Sequence, residues 1–324
     1  MTTGVLLEPL TQSEFDAWAE HSRRGFAAQQ VAAGLQPEAD ALEAAERGFA
    51  ELLPDGLATP QHHVLRVMGP DGGTVGHLWV RVRPLSDEVE AYVYDVEVVP
   101  DARGRGLGRA TMLAAEELAR GLDATVIRLN VFGHNLPAIR LYESLGYTVV
   151  GATMTARVDD LPDAVGRGPR VELRDMTERE YAVFRPRLEA DYGANIAAAG
   201  AMPEADARRK AAADLDRLLP QSLRTPGHLV WAAFDGTDPV GHLWLQLQPR
   251  SDGLHAFGFD FAVREDLRWR GYGRAVAVAA GRACRKRGVR SVGLSVFGFN
   301  AAARGLYAQL GFTLTGQTMA KPLT

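Results

Sequence analysis

The chain is a tandem duplicate of itself, and this repeat constrains its fold more than any single motif does. The octapeptide RGRGLGRA at 103–110 returns as RWRGYGRA at 268–275, and the tetrapeptide GHLW at 76–79 returns at 241–244, each 165 positions further on. Between 129–154 and 294–319, 14 of 26 positions are identical without a gap. A period of this size is that of a domain and not of a solenoid repeat, so the sequence predicts two copies of one domain.

The boundary between the copies falls in a polar segment rich in proline and glycine, RVDDLPDAVGRGPR at 157–170. Such a composition is typical of a linker. We therefore predict an N-terminal domain over 1–158 and a C-terminal domain over 168–324.

Composition excludes several classes of protein. The formal net charge of −4 gives no general attraction to nucleic acid or to an anionic membrane. No apolar run approaches the roughly 18 residues that cross a membrane, and the N-terminal sequence has no basic start followed by an apolar stretch. The single cysteine, Cys284, cannot form an internal disulfide or a cysteine-rich zinc site, and we interpret it as a buried, inert thiol. We expect a soluble cytoplasmic protein that binds no metal.

Each copy shows the same order of secondary structure. Helical patterns rich in Ala and Glu cover 11–52 and 177–219, and strands follow, the last of them at 91–99 and 256–263. The octapeptide then opens a helix, and a strand, a second helix from Asn135 or Asn300 and a last strand complete the copy. This order predicts a mixed sheet with helices on both faces, an α+β fold.

Both octapeptides lie between a predicted strand and a predicted helix. The first turn of a helix has main-chain N–H groups without partners, and the helix dipole places positive charge there. Glycines let a ligand approach the backbone, and the arginines add charge, which suits a phosphate or pyrophosphate. The sequence has no GK[ST] of a P-loop, and glycines at 104, 106 and 108 do not fit GxGxxG. We predict one phosphate cradle in each copy.

The pattern R-x-x-G-x-G, at 103–108 and 268–273, resembles the acetyl-CoA pyrophosphate loop of the GNAT (GCN5-related N-acetyltransferase) family. A second element of that family, N-x-x-A-x-x-L-Y-x-x-x-G-[FY], stands at 135–147 and again at 300–312. The resemblance covers almost the whole chain and is weakest in the helical first third of each copy. It implies two tandem α/β/α sandwich domains, each with a mostly antiparallel sheet, and acetyl-CoA as the cosubstrate.

The resemblance also implies roles for the matching residues. Tyr142 and Tyr307 would be the general acids that protonate the sulfur of CoA, and Asn135 and Asn300 would bind the pantetheine arm or a bridging water, or cap their helices. Main-chain N–H groups of the strand before each loop would hold the pantetheine and polarise the thioester carbonyl. The strand and loop residues expected at CoA are Val98, Val99, Arg103, Gly104, Arg105, Gly106, Leu107, Gly108 and Arg109, and in the second copy Val263, Arg264, Arg268, Trp269, Arg270, Gly271, Tyr272, Gly273 and Arg274.

The general base is left open. An alkylamine with a pKa of about 10.4 is mostly protonated at pH 7, so the reaction needs a base or a water relay. Asp95 and Asp260 occupy matched positions on the strand before the loop, and strand alternation puts Glu97 on the same face as Asp95. The second copy has Ala262 in place of Glu97. All three carboxylates are candidate bases, with solvated strand side chains as the alternative.

Other repeated residues are interpreted as structural. His77 and His242, in the repeated GHLW, have no neighbours at metal-ligand spacing and are taken as strand residues. The repeated PEAD, at 37–40 and 203–206, reads as a helix start, with proline and acidic residues in the first turn.

These residues favour an acetyl-CoA-dependent N-acetyltransferase that acts on the primary amine of a small molecule, by direct attack in a ternary complex. The expected partner is that amine, without nucleic acid or membrane, and a homodimer is left open. Two alternatives stand beside it. One or both copies bind acyl-CoA without catalysis, as a sensor or structural module, or the acceptor is a protein amine. The sequence does not decide which copy is catalytic, although the extra carboxylate favours the first.

Overall fold

The computed structural model describes residues 4–164, 166, 168–200 and 202–323, so that residues 165 and 167 of the predicted linker lie outside the described residues. The first repeat contains the strands β1 Leu6–Pro9, β2 His62–Met68, β3 Thr74–Pro84, β4 Val89–Val98, β5 Val126–Phe132 and β6 Thr148–Arg157, and the helices α1 Gln12–Ala32, α2 Glu38–Leu52, α3 Leu107–Gly121 and α4 Leu136–Ser144.

The second repeat contains the same elements in the same order. Its strands are β7 Glu172–Asp175, β8 His228–Asp235, β9 Asp238–Arg250, β10 Gly253–Val263, β11 Val289–Phe297 and β12 Thr313–Pro322. Its helices are α5 Glu178–Ala198, α6 Glu204–Leu218, α7 Tyr272–Lys286 and α8 Ala301–Gln309. The predicted α+β class is confirmed, whereas the short strands β1 and β7 were not predicted.

The described residues form two compact units that exchange one strand each. The first unit comprises described residues of 1–150, 200–203 and 316–324, and the second comprises those of 151–199 and 204–315. Strand β12 pairs with β5 of the first unit, and β6 pairs with β11 of the second. The predicted boundaries at 158 and 168 follow the repeats along the chain, but each unit is completed by the last strand of the other repeat.

Within each unit the sheet is mostly antiparallel, as expected. The strand order is β1-β2-β3-β4-β5-β12 in the first unit and β7-β8-β9-β10-β11-β6 in the second. The parallel pairs are β4 with β5 and β10 with β11.

Helices cover both faces of each sheet. In the first unit Trp18 of α1 packs on Trp79 and Val64 of the sheet, whereas Met112 of α3 lies on the other face with Leu78. The buried Trp79 indole donates a hydrogen bond to Nδ1 of His62 at 2.9 Å, and Trp244 does the same to His228 in the second unit. The predicted sandwich of helices around a sheet is therefore present in both units.

Helices α1 and α5 begin at the same local signal. The Thr11 hydroxyl accepts a hydrogen bond from the Glu14 N–H, and the Glu14 carboxylate accepts one from the Thr11 N–H. Thr177 and Glu180 repeat this capping box at α5. Such boxes satisfy two otherwise free N–H groups, which fixes where the helix begins.

Strands β4 and β5 separate towards the carboxyl end of β4. Their described pairing ends at Val93 opposite Leu129, and that of β10 and β11 ends at Gly258 opposite Leu294. A bulge follows at once, because Trp79 pairs with Asp95 while Val80 pairs with Val93, and the second unit has a matching shift between Gly258 and Asp260. The gap between the diverging strands in each unit is where the candidate site lies.

Candidate active site

Each octapeptide forms a turn with left-handed backbone conformations that leads into a helix. Gly106 is the N-cap of α3 with φ of +80°, and Gly104 has φ of +74°. The matching values are +87° at Gly271 and +64° at Trp269. Neither N-cap residue makes a side-chain capping hydrogen bond, so the first-turn N–H groups of both helices are uncapped by side chains. This geometry suits an anion such as a pyrophosphate.

The third motif glycine brings the loop close to the helix that carries the tyrosine. A Cβ atom at Gly108 would lie 3.5 Å from Cδ2 of Leu141, and one at Gly273 would lie 3.2 Å from Cδ2 of Leu306. Leu141 and Leu306 directly precede Tyr142 and Tyr307.

The remaining loop side chains divide into those that bind protein groups and those that face solvent. Nε of Arg103 donates to the Val98 carbonyl at 2.8 Å, and Arg109 donates to Ser144 at 3.0 Å. In the second unit Arg264 binds the carbonyl of Pro239 and the carboxylate of Asp266, and the Tyr272 hydroxyl donates to Asp235. The residues with exposed side chains in the loops include Arg105, Arg268, Trp269 and Arg270, whereas Leu107 and Arg274 are half-buried.

The main-chain N–H groups expected to face CoA are only partly available. The N–H of Val99 donates to the Val75 carbonyl at 2.9 Å, and that of Arg264 donates to Val240 at 2.9 Å, so both are used within the sheet. Because hydrogen-bonding groups alternate along a strand, the N–H of Val98 points to the opposite edge, into the gap left by β5. Val263 holds the equivalent place, so Val98 and Val263 are the donors that this backbone offers.

Tyr142 and Tyr307 are held protonated by their surroundings. Burial, with a smaller contribution from the negative charge of Asp95, raises the pKa of Tyr142 to about 12. Burial and the charge of Asp260 likewise raise the pKa of Tyr307. Each hydroxyl therefore carries its proton at neutral pH and can donate it.

Asp95 is largely withdrawn from water on the face covered by α1. Ser22 of α1 donates a hydrogen bond from its hydroxyl to Oδ2 of Asp95 at 2.6 Å. Burial raises the pKa of Asp95, and the neighbouring charge of Glu97 adds to the shift, against the opposing effect of the Ser22 hydrogen bond. A carboxylate with a raised pKa is a stronger base than one in water.

Glu97 points to the same side as Asp95, as strand alternation predicted. Its Oε2 atom lies 2.8 Å from Nε2 of His21, and its Oε1 atom lies 3.8 Å from Nη2 of Arg103. His77 pairs with Glu97 across β3 and β4, and burial lowers its pKa, which favours the neutral imidazole. The first unit thus gathers two carboxylates and two imidazoles at the end of β4.

The second unit keeps the aspartate but changes its surroundings. Leu188 stands in the turn of α5 that matches Ser22, and Ala262 stands in place of Glu97. Nε2 of His242 lies 2.8 Å from Oδ2 of Asp260, without the alignment of a hydrogen bond, and the ring of Phe184 packs edge-on against His242 at 4.9 Å. The two units therefore offer different chemistry at the same position.

Asn135 and Asn300 serve as helix caps. Their Oδ1 atoms accept hydrogen bonds from the N–H groups of Ala138 at 3.2 Å and Ala303 at 3.0 Å. This places their carboxamides at the start of α4 and α8, about two turns before the tyrosines.

Sequence reasoning missed three features of the site. Ser22 and His21 lie in α1, where the repeats diverge, so no repeated residue marks them. Gly76 carried a signal, because it is repeated as Gly241 within GHLW. A Cβ atom at Gly76 would lie 1.9 Å from the Glu97 carbonyl oxygen, and one at Gly241 would lie 2.3 Å from that of Ala262. Gly76 thus lets β3 approach β4 closely, and Gly241 lets β9 approach β10.

Two kinds of feature are absent from the described part of the chain. No group of three His, Cys, Asp or Glu side chains is placed there to hold a metal ion. Among the same residues, no helix has the length and apolar character needed to cross a membrane.

Two units, each with diverging strands, a helix that begins at a glycine and a tyrosine at least partly buried beside the gap, define a tandem protein of the N-acetyltransferase class. The family model of the acetyltransferase (GNAT) family matches residues 29–147 and 197–312, more than half of the chain, and the chain belongs to this family. The predicted family and the tandem layout are confirmed.

Relatives of both one-unit and two-unit length are similar to this chain. An uncharacterized N-acetyltransferase of Bacillus subtilis (strain 168), YdgE, is 32% identical over 148 residues, 46% of this chain and 94% of that protein. A mycothiol acetyltransferase of Rhodococcus opacus (strain B4) is 29% identical over 311 residues, 87% of this chain and 96% of that protein. A solved GCN5-related N-acetyltransferase from Sphaerobacter thermophilus matches with a TM-score of 0.58 at 22% identity, covering 98% of this chain and 96% of that one. The last similarity concerns the fold.

Proposed function

We propose that the protein is an acetyl-CoA-dependent N-acetyltransferase that modifies a primary amine of a small molecule, and that the first unit carries out the reaction. The observation that carries this proposal is the placement of Asp95 and Tyr142 at one gap. A carboxylate of raised pKa and a phenol that stays protonated lie close enough for the charge of one to act on the other. Pairs of groups whose environments set opposite protonation states are suited to general base and general acid roles.

Acetyl-CoA would be held mainly by main-chain groups. The first-turn N–H groups of α3 and the exposed Arg105 face the pyrophosphate, and the glycines at 104 and 106 allow the turn that presents them. The N–H of Val98, directed into the gap, donates to the thioester carbonyl and stabilises the oxyanion that forms there.

The reaction follows from the protonation states of the two side chains. Asp95 accepts a proton from the substrate ammonium group, and the neutral amine nitrogen then attacks the thioester carbon. The new C–N bond forms as the C–S bond breaks, Tyr142 gives its proton to the departing thiolate of CoA, and the resulting phenolate takes up the second proton, which the new amide nitrogen releases. Glu97, next to His21, supplies negative charge that attracts a protonated amine to the mouth of the site.

A small-molecule acceptor is favoured over a protein amine by one comparison. The relative that matches 87% of the chain is named mycothiol acetyltransferase, a name that refers to mycothiol and to no protein. At 29% identity this supports the class of acceptor and leaves its identity to experiment.

The proposal is tested by release of free thiol from acetyl-CoA with a panel of small primary amines. We expect Tyr142→Phe to lower kcat by roughly 100-fold, within the usual range for loss of a general acid. The matched variant Tyr307→Phe in the second unit is expected to keep most of the activity. Full activity in the double variant would contradict the proposed chemistry. Loss of activity in Tyr307→Phe but not in Tyr142→Phe would assign catalysis to the second unit.

A further inference from the structure

An apolar cavity lies inside the second unit, behind Asp260 and Tyr307. Its walls come from β9, β10, β11 and α7, and Leu161 and Pro162, which follow β6, also contact it. Its wall residues are mainly aliphatic, among them Leu243, Leu245, Leu294, Ala277 and Ala280. Asp260, Ser295 and Tyr307 are its polar lining, so the cavity begins where β10 leaves β11 and continues beneath α7.

The cavity exists because small residues replace large ones at three matched positions of the repeat. In the first unit the same space is filled by the fully buried side chain of Met112 and by Glu116, whose carboxylate is held by Nζ of Lys321 at 2.7 Å. The three pairs, first unit then second, are Val93 and Gly258, Met112 and Ala277, Glu116 and Gly281.

We propose that the second unit binds acyl-CoA with a medium-length straight acyl chain, and that the chain occupies this cavity. The inference rests on the proposed function, because it takes the octapeptide at 268–275 as the CoA loop. The sulfur of CoA would then lie at Tyr307, and the acyl chain attached to it would enter the cavity at its polar end. The carboxylate of Asp260 at this end disfavours a free fatty acid, whose own carboxylate it would repel.

Apolar walls should make the binding affinity rise with the length of the acyl chain. Burying one methylene group is worth roughly a fourfold gain in affinity. The affinity of the second unit should therefore rise from acetyl- to butanoyl- to hexanoyl-CoA and level off once the cavity is full. The first unit, where Met112 and Glu116 fill the equivalent space, should show no such gain.

The test is calorimetric titration of the full chain with CoA, with acetyl-, butanoyl-, hexanoyl- and octanoyl-CoA, and with free octanoate. We expect the affinity of one of the two sites to rise roughly fourfold per added methylene group between acetyl-CoA and hexanoyl-CoA. Ala277→Met, which restores the residue of the first unit, should abolish this gain and leave CoA and acetyl-CoA binding unchanged. Lys286→Met, on the exposed side of the same helix, is the matched control and should bind like the unaltered chain.

Each outcome decides between the two proposals. If CoA binds at both sites but the affinity does not change with acyl-chain length, only the acyl-chain inference is overturned. The same holds if octanoate binds as tightly as octanoyl-CoA. Absence of CoA binding at the second unit overturns the proposed CoA site there as well. If Ala277→Met melts early, Gly258→Ala replaces it, because a Cβ there meets its nearest neighbours at an ordinary 3.5 Å.

Discussion

At the scale of single residues, Asp95 and Asp260 show that position alone does not give a side chain its chemistry. Both follow the same bulge and face the same kind of tyrosine. Asp95 receives a hydrogen bond from Ser22, whereas Asp260 lies against His242. A partner contributed by a different element, the Ser22 hydroxyl of α1, therefore acts on the pKa of Asp95, and among the described residues Asp260 has no such partner.

Replacing Ser22 should shift the pH dependence of the first unit. The Ser22 hydroxyl stabilises the ionised form of Asp95, so Ser22→Ala should raise the pKa of Asp95 further. Because the base must be ionised, the acid limb of kcat/KM should move to higher pH. Ser22→Thr keeps a hydroxyl, so the acid limb of its kcat/KM profile should stay near the pH found for the unaltered chain. If the acid limb in Ser22→Ala does not move, or moves to lower pH, this would argue against Asp95 as the base.

Trp269 can serve as a fluorescence probe of ligand binding at the loop of the second unit. It is 89% exposed, whereas the other four tryptophans are buried. A nucleotide that binds at this loop should change the emission of Trp269 by stacking on it or by excluding water. We expect CoA to alter the fluorescence of the unaltered chain and to have little effect on Trp269→Phe. An equal change in that variant would place the bound nucleotide elsewhere.

At the scale of elements, the close approach of β3 and β4 depends on a glycine. A Cβ at Gly76 would lie far inside the contact distance of the Glu97 carbonyl, so the strands must move apart to accept it. Such a shift would also displace Asp95 and Val98, which lie on β4 on either side of Glu97.

Gly76→Ala should lower the free energy of unfolding by roughly 1–3 kcal/mol, as overpacked substitutions do. Gly25→Ala is the control, because Gly25 lies exposed in α1 with open space around it and should gain roughly 0.5–1 kcal/mol. Urea denaturation measures both. Equal stability of the two variants would mean that the strands adapt without cost.

Most of the helices and strands could be predicted from the sequence, and the exceptions are the shortest strands. Helix α3 begins at Leu107, as the glycine-rich turn before it indicated. Strands β1 and β7 are four residues long, too short for an alternating pattern to show. Among site residues, the loops and tyrosines were identified by repeated motifs, whereas Ser22 and His21 depend on how α1 packs on the sheet.

At the scale of the whole molecule, the exchange of β6 and β12 could not be read from the chain. The two strands, TVVGATMTAR and TLTGQTMAKP, have the same pattern, so either can pair with β5 or with β11. Contacts outside the pattern distinguish them. Lys321 of β12 reaches the buried Glu116 in the first unit, whereas the matching residue of β6 is Ala156.

The exchange predicts that the repeats depend on each other. Residues 1–160 expressed alone lack β12, which leaves an edge of β5 without its antiparallel partner. We expect this half to aggregate or unfold without a cooperative transition, and co-expression with 161–324 to yield a stable one-to-one complex. Sedimentation and thermal unfolding would show this. A monomeric first half that unfolds cooperatively would contradict it.

The position of β12 also sets the order of events during synthesis. The first unit has its loop, its tyrosine and its candidate base by residue 142, yet the strand that completes its sheet begins only at Thr313. A ribosome must therefore translate the entire second repeat before the earlier unit can close. A chain terminated after residue 312 would lack the last strand of the first unit, so translation must pass through the whole second repeat and β12 before the proposed catalytic unit can be complete.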